Sequence, residues 1–187
     1  QTCALPISIN KELAKIKDKP PYWTTKTGVK VIPDNERILK MQELLTQTWR
    51  KKRTGDRPID EDVPTGARVL TVLRVENHEM YEKYMTHAAA VQHRAEGRCE
   101  RFDVETGDYS NKLNRNINEM YLFHGTNPVA AYDIAQSGFQ LDKAGSAKGT
   151  MFGPGIYLAE NASKSDEYAH EGGGIYVGTW EIGRAHV

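Results

Sequence analysis

The chain has 187 residues, 25 Lys plus Arg against 25 Asp plus Glu, and a formal net charge of zero. That balance argues against nucleic-acid binding by bulk electrostatics, which needs a basic excess. A composition of 39% hydrophobic and 27% charged residues argues against disorder throughout. No apolar run approaches the roughly 20 residues needed to span a bilayer, and two cysteines do not make a disulfide framework.

The two ends have an unusual character. The opening QTCALPIS has no initiator Met and lacks the charged and long apolar regions of a signal peptide. With suitable codons for the closing EIGRAHV, the reverse complement continues, in another frame, into codons for QTCALPIS. The expectation is that 1–8 and 181–187 are one short adaptor-like DNA segment translated from opposite strands. Different codons at the two ends of the source DNA would refute it. On this reading the natural part is 9–180, longer in both directions in the intact protein, with Cys99 as its one cysteine once Cys3 is set aside. The charge balance survives, because Glu181 and Arg184 cancel.

Residues 9–35, polar and carrying Pro20, Pro21, Gly28 and Pro33, read as a linker or irregular approach that Tyr22 and Trp23 could anchor to a core. From Glu36 to Arg53 the apolar residues Ile38, Met41, Leu45 and Trp49 recur at three- and four-residue steps, which predicts a helix with Asp34 or Asn35 as its cap. The basic run Arg50-Lys51-Lys52-Arg53 then suits the negative end of the helix dipole. It makes a poor nucleic-acid patch, because Asp56, Asp60, Glu61 and Asp62 follow.

Arg68 to Glu76 is rich in Val and Leu and reads as a strand. Asn77 is placed to cap a second helix that carries Met80, Tyr81, Tyr84, Ala88 and Val91 to about Arg94, a stripe suited to core packing. His78, His87 and His93 are spaced nine and six apart, so they do not share one face at metal-ligand distance, and no metal site is assigned. Residues 95–118 read as a polar surface connection or short helix.

A strand is expected over Glu119–Phe123, then His124-Gly125-Thr126, then a helix over Pro128–Ser137 stopped by Gly138. A small-residue loop follows over 140–152, a short strand over Gly155–Ala159 and a helix over Asn161–His170. Gly172–Gly174 break the chain before a strand or loop over Ile175–Trp180.

The chemistry concentrates here. A histidine ending a strand beside a glycine puts an imidazole next to bare backbone, whose N–H and C=O can grip a primary amide in two hydrogen bonds. A turn that merely ends a strand would look the same. Gly153, Pro154 and Gly155 precede a strand, whereas a phosphate-binding glycine loop follows a strand and opens a helix. Ser165 and Tyr168, three apart, share a helix face; a hydroxyl beside an aromatic ring suits a flat heteroaromatic amide, and equally suits core packing.

YLFHGT at 121–126, Ser137-Gly138-Phe139 and MFGPGIYLAENASKSDEY at 151–168, in that order and spacing, resemble the catalytic domain of the poly(ADP-ribose) polymerases, the diphtheria-toxin-like ADP-ribosyltransferases. RVLTVLRVENHEMYEKY at 68–84 also resembles the family's strand-then-helix entry, and the FGPGIY and SKS wording leans toward tankyrase-like members. The resemblance spans about 70–180. It implies an α+β architecture, the ADP-ribosyltransferase fold with a split antiparallel sheet and flanking helices, incomplete at the carboxyl end.

It also implies an NAD+-consuming enzyme that transfers ADP-ribose to protein acceptors and releases nicotinamide. The other reading is an inactive NAD- or ADP-ribose-binding or protein-interaction module of the same fold. By resemblance, His124 holds a hydroxyl of the nicotinamide-side ribose and Gly125 binds the carboxamide through its backbone. Tyr157 lines the pocket, Ser165 hydrogen-bonds the carboxamide and Tyr168 stacks on the ring. His124 and Tyr157 are the catalytic candidates, and residues 140–152 lie beside the dinucleotide.

The family's glutamate lies on a later strand, and Glu160, Glu167 and Glu171 are in the wrong segment to be it. No catalytic glutamate is therefore assigned, and the choice between mono- and poly-transfer, which depends on it, is left open. The chain as it stands is expected to be a poor enzyme and a marginal folder. The family also implies an intracellular setting, nuclear or cytoplasmic. The division that follows is 1–8 adaptor-derived, 9–66 linker and amino-terminal helix, 67–180 part of the catalytic domain, and 181–187 adaptor-derived.

Overall fold

A computed structural model of the chain describes residues 19–57, 59–95, 113–143 and 153–169. The two termini, most of the 95–118 connection, the far part of the 140–152 loop and the expected strand at 175–180 lie outside the described residues.

The amino-terminal segment is more than a linker. Val29–Pro33 forms strand β1, antiparallel to β2 at Leu73–Asn77, with Val31 opposite Val75 and Val29 opposite Asn77. Gly28 turns the chain into β1 with φ +76, a conformation costly for any residue with a Cβ. Its carbonyl accepts from the His78 N–H at 3.1 Å, and the Asp34 N–H donates to Val72 O at 2.8 Å at the other end. Val29-Lys30-Val31 is too short a pattern to mark a strand in the sequence without its partner. β2 is shorter than the expected 68–76 strand, since pairing stops where β1 ends at Pro33, which has no N–H to donate.

Helix α1 spans Ile38–Thr48, preceded by a 3-10 turn at Asn35–Arg37. Met41, Leu44, Leu45 and Thr48 are buried on one face at helical spacing, while Leu39 on the opposite face is exposed. The expected side-chain cap is absent: the Asp34 carboxylate pairs with Arg37 at 2.9 Å and Arg74 at 2.7 Å instead. The helix ends earlier than expected, as Trp49 is already extended (φ −82, ψ 121). Its indole N–H donates to Pro64 O at 3.0 Å, and the Arg50 N–H donates to Ser163 Oγ at 3.0 Å. The Arg50–Arg53 run therefore leaves the helix rather than closing it.

Helix α2, His78–Ala95, follows β2 directly, and Asn77 caps it as the sequence indicates: Oδ1 accepts from the Met80 N–H at 3.0 Å. The Asn77 amide also donates to Ala135 O at 3.0 Å and Gln136 O at 3.1 Å, which ties α2 and the sheet to helix α3, Pro128–Ser137. Asn127 caps α3 by accepting from the Ala130 N–H, and Gly138 stops it with φ +80. Of the histidines on α2, His78 packs edge-on against Trp23 with centroids 4.9 Å apart, and His87 Nδ1 lies 2.7 Å from Lys83 O, one turn back.

The expected strands at 119–123 and 155–159 meet only as an isolated antiparallel bridge between Phe123 and Ala159. The Phe123 N–H donates to Ala159 O at 2.7 Å, and the Ala159 N–H donates to Phe123 O at 2.9 Å. The architecture described is α+β: helices around a two-stranded antiparallel sheet, with this bridge separate from it. Helix α4 is shorter than expected, Ala162–Asp166, with Tyr168 in the turn beyond it.

A hydrophobic cluster links these parts. Phe123, 1% exposed, packs with Leu44, Leu45 and Ala162, and Trp49, Ala67 and Val69 close its edge. Burial of a Phe ring contributes about 2–3 kcal/mol. That single residue thus holds α1, the bridge and α4 together.

A second anchor is polar. Glu76 is fully buried, and its carboxylate accepts from the Thr24 and Thr25 N–H groups (2.9 and 2.8 Å), the Thr25 hydroxyl (2.6 Å) and the Arg74 guanidinium (2.9 Å). This clasp holds residues 24–25 on the sheet.

Candidate active site

The bridge puts His124 and Gly125 immediately after Phe123, and it brings Tyr157 beside them from the Ala159 side. His124 Nδ1 lies 2.9 Å from Tyr157 O. A carbonyl only accepts, so Nδ1 carries a proton, and in the neutral tautomer with that proton Nε2 is the acceptor. The imidazole also packs edge-on against Phe139, centroids 4.9 Å apart. One backbone partner and one aromatic partner therefore set the orientation of His124.

Tyr157 is held in turn by its hydroxyl, which donates to Gly153 O at 2.7 Å. Gly153 has φ +89, so the Gly153-Pro154-Gly155 turn is built on a conformation that glycine tolerates.

Gly125 meets α4 at the backbone. A Cβ built on it would lie 1.7 Å from Ser165 O and 2.7 Å from Ser165 C. Only a glycine allows the two segments to approach this closely. Ser165 is 3% exposed at this seam. Four of the five site residues that the sequence singles out, His124, Gly125, Tyr157 and Ser165, are thereby connected through direct contacts.

Tyr168 joins them differently from the expected shared helix face. It stands in a turn after α4, with its N–H donating to Ser165 O at 3.1 Å. Its hydroxyl donates to Asp56 Oδ2 at 2.8 Å, and Lys164 Nζ lies over the ring, 5.3 Å from the centroid. Burial, together with the hydrogen bond to Asp56, raises the Tyr168 hydroxyl above its ordinary pKa. Hydrogen bonds from Lys164 and Tyr168 lower that of Asp56. Lys164 is raised to about 12: burial works against the cation, and the carboxylates of Asp56 and Glu167 outweigh it.

This network was not visible in the sequence. Thr54 donates to both Glu167 oxygens (2.8 and 2.6 Å), and Lys164 bonds Glu167 at 2.7 Å and also pairs with Asp56. Arg57, 8% exposed, pairs with Asp166 at 2.8 Å. The one clue in the sequence is the basic run Arg50–Arg53 followed closely by Asp56, Asp60, Glu61 and Asp62. The Glu167 side chain, 2% exposed, is bonded to Thr54 and Lys164. Glu160 is exposed, and Glu171 lies outside the described residues. Among the described residues, no three His, Cys, Asp or Glu side chains group as a metal site, and no helix is long and apolar enough to cross a membrane.

Two comparisons bear on this geometry. Over 58 residues, 30% of this chain, it is 38% identical to a Caenorhabditis elegans protein named poly [ADP-ribose] polymerase tankyrase. The match spans only 2% of that relative's length. The poly(ADP-ribose) polymerase catalytic domain matches residues 57–177, which takes in every site residue above except Asp56 and Thr54. With well over half its length inside that match, the chain belongs to the poly(ADP-ribose) polymerase catalytic-domain family.

Proposed function

We propose that this chain forms the nicotinamide side of an NAD+ ADP-ribosyltransferase of the ADP-ribosyltransferase fold, which transfers ADP-ribose to protein acceptors. The observation that carries it is the convergence of His124, Gly125, Tyr157 and Ser165 through the Phe123–Ala159 bridge and the Gly125–Ser165 backbone contact.

Each residue then has a role consistent with its surroundings. The His124 Nδ1–H is taken by Tyr157 O, so Nε2 can accept from a ribose hydroxyl. Gly125 offers backbone groups to the carboxamide at the seam where the Ser165 hydroxyl is the second candidate partner. Tyr157 and Tyr168 supply the aromatic walls. In the reaction, the bond from ribose C1′ to the nicotinamide nitrogen breaks and its electron pair neutralises the pyridinium. The ribose passes through an oxocarbenium-like state, as in glycoside hydrolysis, and a nucleophile on the acceptor protein bonds to C1′ and loses its proton. Orientation of the carboxamide and ribose favours that state over the ground state.

The test is NAD+-dependent labelling of protein by the full-length gene product. His124→Ala should reduce labelling at least about tenfold, the effect of losing one well-placed polar contact. Unchanged labelling would overturn the assignment. NAD+ binding without any labelling by the wild type would instead mark a binding module.

A further inference from the structure

We infer that Asp56 is a positioning residue for Tyr168: it holds the ring in the orientation that receives a flat heteroaromatic amide. This rests on the stacking role proposed for Tyr168 above.

Tyr168 lies beyond the end of a five-residue helix, where a side chain has few helical neighbours to restrict it. Two hydrogen bonds fix it from opposite ends. Its N–H is held by Ser165 O, and its hydroxyl by an Asp56 oxygen at 2.8 Å from a segment 112 residues away in sequence. A ring held at its base and its tip has its long axis defined, and Lys164 against one face restricts rotation about that axis. Lys164 then covers one face at 5.3 Å, so the opposite face is the one on which a planar ligand can stack.

Asp56 is itself held in place. Lys164 bonds it and also bonds Thr54 (3.2 Å) and Glu167 (2.7 Å). Thr54 is bound to the 2%-exposed Glu167, and Arg57 to Asp166. Residues on both sides of Asp56 are thus fastened to α4 and the turn that carries Tyr168. A general packing role would not require the acidic group to meet the one tyrosine hydroxyl of that turn.

The experiment uses the full-length gene product, with nicotinamide binding measured by titration calorimetry and KM and kcat by NAD+ consumption. Asp56→Ala should weaken nicotinamide binding and raise the KM for NAD+ about tenfold, the size of one lost hydrogen bond to a charged group, with kcat changed much less. Asp56→Asn, which can still accept from the hydroxyl, should restore most of the binding. Tyr168→Phe removes only the shared hydrogen bond and should weaken binding in the same direction, and the double variant should lose clearly less than the sum of the two single losses, since both single variants remove that bond.

Wild-type binding by Asp56→Ala, or additive losses in the double variant, would overturn the inference while leaving the pocket assignment intact. A wild-type protein that binds no nicotinamide would overturn both. Should Asp56→Ala fail to fold, Tyr168→Phe carries the test: wild-type affinity in that variant overturns the inference.

Discussion

Gly125 and Ser165 touch backbone to backbone, with no space for even a methyl group between them. The contact places the His-Gly segment against the helix bearing Ser165, and no side-chain rotation could relieve a clash there. Gly125→Ala should cost about 1–3 kcal/mol as the two segments separate, an overpacking effect. It should also abolish nicotinamide binding. Thermal denaturation and calorimetry check both, and a variant with wild-type melting and affinity would show the contact to be dispensable.

Glu76 gathers the Thr24 and Thr25 backbone, the Thr25 hydroxyl and Arg74 around one buried carboxylate. Glu76→Ala should leave these donors unmatched and destabilise the protein by about 3 kcal/mol. Urea unfolding should show a lower midpoint, with a smaller loss in Glu76→Gln, which keeps acceptor capacity. Equal midpoints for all three proteins would mean the clasp contributes nothing.

The same carboxylate predicts acid sensitivity. Burial favours its neutral form, yet the Thr25 hydroxyl, the Thr24 and Thr25 N–H groups and Arg74 together bring it from 4.5 to about 2. Its folded-state value is depressed, so its stabilisation is complete above the unfolded value of 4.5 and disappears as pH falls through about 2. Unfolding free energy measured between these limits should fall with acid in the wild type. The fall should be shallower in Glu76→Gln, and parallel curves would remove Glu76 as the cause.

Asn77 caps α2 with its oxygen and holds two carbonyls at the end of α3 with its amide. Asn77→Ala should lose both functions at a cost of about 2 kcal/mol. Asn77→Asp keeps the acceptor for Met80 but sets a carboxylate against Ala135 O and Gln136 O, so it should also destabilise. Wild-type stability in Asn77→Asp would show that the amide contacts to α3 are unimportant. Guanidinium unfolding distinguishes these outcomes.

Helices were readily legible. The Met41 and Leu45 stripe, Asn77 as a cap and Gly138 as a stop are all read within four residues, and the structure bears them out. The helix end at Trp49 is not legible locally, because the exit depends on Pro64 and Ser163, partners remote in sequence. Strand β1 has no legible pattern of its own, and the Phe123 and Ala159 segments pattern as strands but form only a bridge, since a strand is completed only by the neighbour it pairs with.

The sequence alone determined the family, through His124, Gly125, Tyr157, Ser165 and Tyr168 in their order, and it determined the helical stripes that carry the core. Only the tertiary structure decided that Gly125 closes on Ser165 and that Asp56 and Arg57 reach the segment bearing Tyr168. The physical reason is range. Helix caps and amphipathic stripes are satisfied within a turn or two of chain, whereas the backbone seam of Gly125 on Ser165 and the bonds of Asp56 and Arg57 to the segment bearing Tyr168 join residues far apart in sequence, and exist only once the Phe123 cluster has brought the segments together.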